Sequence, residues 1–205
     1  MIIGSKSLGT LDYIRNKYGL VDDRRVELAG GRDELSRLWH ELGFTVGAEI
    51  GVERGMYSKV ICNNSTNVKL YCIDAWTAYK GYRDHVSQHK LDDMYEDTIK
   101  RLESHNVEVI KGYSLDVVKQ FKDNSLDFVY IDANHDFQNV CNDVIEWSKK
   151  VRPGGMVCGH DYRRTKGGAV NDTVDVINAY VNAKGIKPLL IWRGDRASSW
   201  SWVKV

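Results

Sequence analysis

Short apolar runs rich in β-branched residues alternate along this chain with longer segments in which apolar residues recur every three to four positions. The short runs predict strands, and the longer segments predict helices packed on the faces of a parallel sheet. The predicted strands in this part of the chain are residues 46–50, 68–73, 107–110, 126–131 and 156–158. The alternation therefore predicts an α/β fold with a doubly wound sheet.

The C-terminal residues follow a different pattern. Residues 189–192 and 199–203 are again strand-like, but only residues 193–198 separate them. A connection of this length allows an antiparallel hairpin and is too short for a helical crossover. The expected sheet therefore has seven strands, is mostly parallel and ends in an antiparallel hairpin, unlike the six parallel strands of the ordinary dinucleotide-binding fold.

The chain length of 205 residues is enough for one domain with its own core. We predict a single domain over residues 31–205, with a helix over 33–42 that leads into the first predicted strand. Residues 1–30 show weak periodicity, which predicts an N-terminal extension that is either a surface tail or a lid.

The charge balance restricts the class of partner. The chain has 29 Lys and Arg against 28 Asp and Glu, a net charge of +1, and no long run of either sign. This distribution favours a small-molecule partner over nucleic acid or anionic lipid. We expect a cytoplasmic protein with reduced thiols, because we find no signal-like start, no apolar run near the ~18 residues of a membrane span, and no CxxC spacing. A homodimer is a possible assembly.

A glycine-containing turn follows the first predicted strand. Gly51 and Gly55 lie where this strand passes into a helix, and their missing side chains let backbone N–H groups approach a ligand. Their spacing departs from the G-x-G-x-x-G fingerprint, so a turn that needs positive φ explains them equally well. Asp74 ends the second predicted strand, where its carboxylate can accept both hydroxyls of a ribose or can cap the next helix. Together the turn and Asp74 favour a nucleoside site.

Four segments, in this order, resemble class I S-adenosylmethionine-dependent methyltransferases: residues 49–55 (EIGVERG), 71–76 (YCIDAW), 127–132 (DFVYID) and 152–155 (RPGG). The resemblance runs from about residue 33 to 205, and it implies the Rossmann-like fold with a reversed final strand. Within the class, the chain is similar to small-molecule O-methyltransferases through two further segments, IDANH at 131–135 and GHDY at 159–162. The resemblance implies S-adenosylmethionine as methyl donor and a small-molecule hydroxyl as acceptor.

The same resemblance implies a set of residues around the donor. Asp74 would bind the ribose, Ser114 would hydrogen-bond the adenine, and Gly51 would lie at the methionine end. Ser114 is read equally well as the N-cap of a helix over residues 115–121. The full set implied for the donor is Glu49, Gly51, Glu53, Gly55, Tyr57, Ser58, Asp74, Ala75, Trp76, Ser114 and Asp132.

Methyl transfer to a hydroxyl needs an aligned acceptor and a base that removes its proton. His135 follows Asp132 by three residues, the position at which related catechol-type O-methyltransferases carry a basic catalytic side chain. An imidazole with a pKa of ~6.5 can accept a proton near neutral pH. We therefore predict that His135 is the base and that Asp132 belongs to the catalytic set.

The resemblance further implies a divalent-metal site at Asp132, His160 and Asp161, since metal-dependent relatives use such a site to hold and acidify the acceptor hydroxyl. Two carboxylates suit Mg²⁺, whereas an added imidazole shifts the preference towards metals such as Mn²⁺. His160 departs from the acidic or Asn residue usual at this position. Hydrogen-bonded polar residues without a metal are the alternative interpretation.

Three other functions can be compared with this one. Amino-methylating DNA enzymes carry an Asn/Asp-Pro-Pro-aromatic segment where this chain has residues 132–135, DANH, so that class is disfavoured. A metal-dependent hydroxylase would use the same strand-end residues for a redox metal, and a non-catalytic binding module would keep only the donor site. The segments expected to shape the acceptor pocket, residues 1–30, 77–90 and 162–169, contain no motif that identifies the acceptor.

Overall fold

The computed structural model describes residues 9–21, 24–78, 87–164 and 171–205. The strands are β1 (Arg25–Leu28), β2 (Val46–Ile50), β3 (Lys69–Asp74), β4 (Val107–Lys111), β5 (Leu126–Ile131), β6 (Val151–Gly159), β7 (Leu189–Trp192) and β8 (Ser199–Val203). The helices are α1 (Thr10–Tyr18), α2 (Arg32–Glu41), α3 (Met56–Asn64), α4 (Gln88–Leu102), α5 (Ser114–Val117), α6 (Phe137–Lys150) and α7 (Thr173–Lys184), and a 3₁₀ turn (Val118–Gln120) follows α5. None of the helices within these ranges has the length and apolar character of a membrane span.

All strands lie in one sheet with the order β1-β7-β8-β6-β5-β2-β3-β4. Neighbouring strands are parallel except at β8, which runs antiparallel to both β6 and β7. The predicted fold class, a doubly wound and mostly parallel sheet with an antiparallel C-terminal hairpin, is confirmed. The described residues form eight strands rather than seven, because β1 pairs in parallel with β7 at one edge.

Strand β1 and helix α1 lie in the segment that the sequence sets apart as an extension. Arg193 forms an ion pair with Glu27 of β1, and Ile14 of α1 is completely buried in the same core as Leu38 of α2. The division of the chain at residue 30 stays a prediction. Arg25–Leu28 is nevertheless hydrogen-bonded into the same sheet as the rest of the domain.

Side chains alternate across the sheet, so each face carries its own hydrophobic core. In β5, Phe128 and Tyr130 join the core covered by α1 to α4, whereas Val129 and Ile131 join the core covered by α5 to α7. The central strands are therefore apolar on both sides. This burial explains why they are recognisable in the sequence as continuous apolar runs.

The winding direction of the sheet changes between β2 and β5. From β2 the chain moves outward to β3 and β4, whereas from β5 it moves outward to β6 in the opposite direction. The carboxyl ends of β2 and β5 are neighbours at this switch point. Open α/β sheets bind ligands in the crevice at such a point, which places the candidate site at the loops that follow β2, β3, β5 and β6.

Candidate active site

The turn after β2 is shaped by its glycines. Gly51 has a φ of +89°, and a Cβ atom there would overlap the carbonyl oxygen of Asp132, which follows β5. Gly55 has a φ of +68° and precedes the first residue of α3. Backbone conformation alone thus explains both glycines, and the absence of a side chain at Gly51 also brings the ends of β2 and β5 into contact.

Asp74 holds this turn in place. Its Oδ2 atom accepts hydrogen bonds from the backbone N–H groups of Val52 (3.0 Å) and Glu53 (2.9 Å), and its Oδ1 atom accepts from the N–H of Trp76 (3.1 Å). The next helix, α4, is capped by Ser87, so the helix-cap interpretation of Asp74 is wrong. Asp74 instead joins the end of β3 to the turn after β2, at the position predicted for the ribose.

Trp76 also stabilises the turn after β2. Its indole N–H donates to the carbonyl oxygen of Glu53 (2.8 Å), which also accepts from the hydroxyl of Thr98 (3.1 Å). The Trp76 side chain is only 1% exposed and packs edge-on against Tyr95. Trp76 therefore fixes the backbone of Glu53. Ala75, which precedes Trp76 in the chain, is half-buried.

Glu49 lies buried at the end of β2. Its carboxylate accepts a hydrogen bond from the hydroxyl of Ser58, and the residue is 2% exposed. Burial raises the pKa of Glu49 to about 8, although the Ser58 hydrogen bond acts in the opposite direction. Tyr57 packs against Tyr130 on the same side of the sheet, and its hydroxyl donates to the carbonyl oxygen of Arg32 (3.0 Å).

The turn after β4 lies next to Asp74, because the N–H of Gly112 donates to the carbonyl oxygen of Asp74 (2.9 Å). Ser114 begins helix α5, and Tyr113 occupies the N-cap position, so the N-cap interpretation of Ser114 is wrong. The Ser114 hydroxyl donates to Asp143 and accepts from the indole N–H of Trp147 (2.8 Å). Burial raises the pKa of Asp143 to about 6.

Two histidines and two aspartates meet where β5 and β6 end. The Nε2 atom of His135 lies 2.9 Å from Oδ2 of Asp161. The Nδ1 atom of His160 lies 3.4 Å from Oδ2 of Asp132 and 3.6 Å from Oδ2 of Asp161. On its other side, Asp161 accepts a hydrogen bond from Nε of Arg163 (3.0 Å). The two segments predicted to carry the chemistry are thus brought together.

The paired charges of this cluster shift its pKa values. Burial would lower the pKa of His160, but its contacts with Asp132 and Asp161 raise that pKa to about 9. The pKa of His135 is also raised, since its contact with Asp161 outweighs burial. Conversely, the two histidines hold the pKa of Asp161 well below its usual range despite burial. Near neutral pH, His160 is therefore protonated and Asp161 is ionised, so these two groups form a charged pair.

The same side chains fit a divalent cation. Oxygen or nitrogen atoms of Asp132, His135 and Asp161 all lie within 4.8 Å of one another. This set differs from the predicted one by containing His135 in place of His160, although His160 also contacts both carboxylates. The Nε2 atom of His160 is buried and has no hydrogen-bond partner within the described ranges. Two carboxylates with imidazole nitrogen are chemically suited to a metal such as Mn²⁺.

Arg32 was not singled out by the sequence. It is the first residue of α2, and its guanidinium lies 5.2 Å from the centre of the Tyr57 ring and 3.8 Å from Oδ2 of Asp132. A single arginine at the start of a predicted helix belongs to no motif, so only the folded arrangement shows that it faces the site.

Some predicted pocket residues lie outside the described ranges, including residues 79–86 and 165–170. Of the neighbours that are described, Arg164 forms an ion pair with Asp175, and exposed His89 contacts Asp93.

A doubly wound sheet with a reversed final strand, a glycine turn and a strand-end aspartate define the Rossmann-like methyltransferase fold. A methyltransferase-domain family profile matches residues 48–162, which is more than half of the chain. The chain therefore belongs to this family of methyltransferase domains, and the predicted class of S-adenosylmethionine-dependent methyltransferases is confirmed. A comparison with curated protein sequences gave no significant match.

Several solved structures share the fold. An O-methyltransferase from Bacillus cereus in complex with SAH has a TM-score of 0.59 at 20% identity and covers 100% of this chain and 94% of its own. TomG from Streptomyces achromogenes, an O-methyltransferase of tomaymycin synthesis in complex with SAM, has a TM-score of 0.61 at 17% identity, with coverages of 98% and 92%. A SAM-dependent methyltransferase from Aquifex aeolicus has a TM-score of 0.57 at 15% identity, with coverages of 86% and 91%. At these identities the similarity shows a common fold.

Proposed function

We propose that this chain transfers the methyl group of S-adenosylmethionine to a hydroxyl of a small-molecule acceptor. The observation that carries this proposal is the convergence of His135, Asp132 and Asp161 at the end of the sheet where Gly51 meets Asp132. Carboxylates and an imidazole at this point can orient an acceptor and take its proton, which is the work that methyl transfer to oxygen requires of a protein.

The donor site in this proposal extends across the loops after β2, β3 and β4. Asp74 receives the ribose hydroxyls beside the turn that it already holds, and the Gly51 turn lies at the methionine end. The Ser114 hydroxyl donates its hydrogen to Asp143, so towards the ligand it offers a lone pair. A lone pair suits the amino group of adenine, which is a donor. The bound donor supplies a methyl group activated by a positively charged sulfur.

His135 is the proposed base. When its Nε2–H is donated to Asp161, the lone pair of the imidazole lies on Nδ1, and this atom takes the proton of the acceptor hydroxyl. The His135 side chain is 35% exposed, so an acceptor can reach it. Asp161 is itself fixed by Arg163 and holds the ring in one orientation.

Asp132 and Asp161 would hold a divalent cation, completed by His160, as the sequence predicts, or by His135, as the ligand distances favour. A cation there would hold and acidify the acceptor hydroxyl. Either histidine can therefore be the metal ligand, and the other is then free to act as the base. Mn²⁺ titration of His135→Ala and His160→Ala distinguishes the roles, because only the variant that lacks a metal ligand should bind the ion more weakly.

The proposal is tested by methyl transfer from labelled S-adenosylmethionine to a panel of small hydroxyl compounds. His135→Ala should retain donor binding and lose about 10² to 10⁴ in rate, the usual contribution of a positioned base. His89→Ala is the matched control, since His89 is an exposed helix residue that contacts Asp93. Unchanged transfer by His135→Ala would show that another group is the base, and turnover that requires O₂ without the donor would favour the hydroxylase.

A further inference from the structure

Arg32 places a positive charge at the edge of a site that is otherwise rich in carboxylates. Its guanidinium lies over the ring of Tyr57 and is 35% exposed. The nearest carboxylate oxygens are Oδ2 of Asp132 at 3.8 Å and Oδ2 of Asp195 at 3.9 Å. The charge of Arg32 is also close enough to Glu49 to act towards a lower pKa of that carboxyl group. Arg32 therefore lies beside Asp132, whose backbone lies against Gly51 of the turn after β2.

The backbone of Arg32 is fixed from two directions. Its N–H donates to Oδ2 of Asp195 (2.7 Å), and its carbonyl oxygen accepts from the hydroxyl of Tyr57 (3.0 Å). Asp195 lies in the loop between β7 and β8, and a Cβ atom on Gly31 would collide with its carboxylate. The C-terminal hairpin and α3 thus hold the start of α2 in place. The backbone of Arg32 is therefore already ordered before a ligand binds.

The guanidinium itself is left without a close partner. Its two ion pairs are longer than the 2.7–3.2 Å of a direct hydrogen bond, and within the described ranges it donates none. An arginine offers five N–H donors in a planar fork that matches the two oxygens of a carboxylate. A partly buried, oriented guanidinium with unused donors is suited to an anionic ligand.

We propose that Arg32 binds the α-carboxylate at the methionine end of S-adenosylmethionine, an inference that rests on the proposed function. This carboxylate is the only anionic group of the donor. The acidic side chains of Glu49, Asp74 and Asp132 offer it no positive charge, whereas the guanidinium of Arg32 would attract it. The ring of Tyr57 holds the guanidinium plane in position. Arg32 thereby sets the orientation of the methionine end.

The test is a thermodynamic cycle measured by calorimetry. Wild type and Arg32→Gln are each titrated with S-adenosylhomocysteine and with its decarboxylated analogue, which lacks only the α-carboxylate. Arg32→Gln should bind S-adenosylhomocysteine about 10- to 100-fold more weakly, as expected for a lost charge-assisted hydrogen bond. Wild type should lose a similar factor for the decarboxylated analogue, and Arg32→Gln should lose little more.

Two further variants separate charge from geometry. Arg32→Lys keeps the charge without the planar fork and should lie between wild type and Arg32→Gln. Arg37→Gln is the matched control, because Arg37 lies on the same helix, is 59% exposed and contacts Asp33. It should bind both ligands as wild type does.

Failure of this inference is distinct from failure of the proposed function. If wild type does not bind S-adenosylhomocysteine, the donor assignment itself is wrong. If wild type binds it, but Arg32→Gln binds it equally well or loses the same factor for both ligands, Arg32 does not recognise the carboxylate. Wild type that binds both ligands equally well would also overturn the inference, and this comparison requires no mutation.

Discussion

Glu49 allows a quantitative prediction about pH and stability. Burial raises its pKa from an ordinary 4.5 to about 8 in the folded chain. Between these pH values the folded state holds a proton that the unfolded state has lost, so the free energy of unfolding must fall as the pH rises. One proton corresponds to about 1.4 kcal/mol per pH unit, which gives about 3 kcal/mol between pH 5 and pH 7 from this group.

Urea denaturation at several pH values between 5 and 8 measures this effect. Glu49→Gln keeps the size of the side chain and an oxygen for the Ser58 hydroxyl but cannot ionise, so it should flatten the decline relative to wild type. Exposed Glu96 provides the matched control as Glu96→Gln. A wild-type slope that survives in Glu49→Gln would show that burial does not keep this carboxyl protonated.

Other expectations concern the turn and the metal. Gly51→Ala should lower the free energy of unfolding by at least about 2 kcal/mol, because it adds a strained φ and a collision with the backbone of Asp132. Gly43→Ala, where φ is +70° and no atom is close, should cost about 1 kcal/mol and isolates the strain, and urea denaturation measures both. EDTA treatment and Asp161→Asn should each reduce methyl transfer, with restoration by Mn²⁺ after EDTA. Asp175→Asn, at a surface ion pair, should leave transfer unchanged, and full activity in EDTA and in Asp161→Asn would contradict metal assistance.

The central strands could be predicted closely because both of their faces are buried. Residues 46–50 and 126–131 coincide with β2 and β5, whose apolar runs have no exposed side to interrupt them. Strand β6 begins at Val151, whereas the sequence predicts a start at residue 156. Its first residues could not be predicted because they lack an apolar pattern and lie where the ladder with β5 is irregular. Strand β1 escaped prediction because it is a short edge strand with charged residues at alternate positions.

The sequence could predict which strand ends meet at the site, but not the directions in which their side chains point. The order of segments along a parallel sheet places Asp132 and Asp161 together, because the ends of β5 and β6 are adjacent. Which histidine turns towards which carboxylate depends on loop conformation, and here His135 makes the shortest contact with Asp161. Arg32 could not be found at all from the sequence, since its placement depends on Asp195, which lies far along the chain in the final hairpin.

The most direct test of the donor site is calorimetry of the full chain with S-adenosylhomocysteine. We expect one site per chain with micromolar affinity, and we expect Asp74→Ala to lose it because the ribose partner and the support of the turn are both removed. Asp74→Asn, which keeps the shape and one acceptor oxygen, should bind more weakly than wild type and more tightly than Asp74→Ala. An absence of binding by folded wild-type protein, or full binding by Asp74→Ala, would show that Asp74 and the turn after β2 do not form the donor site.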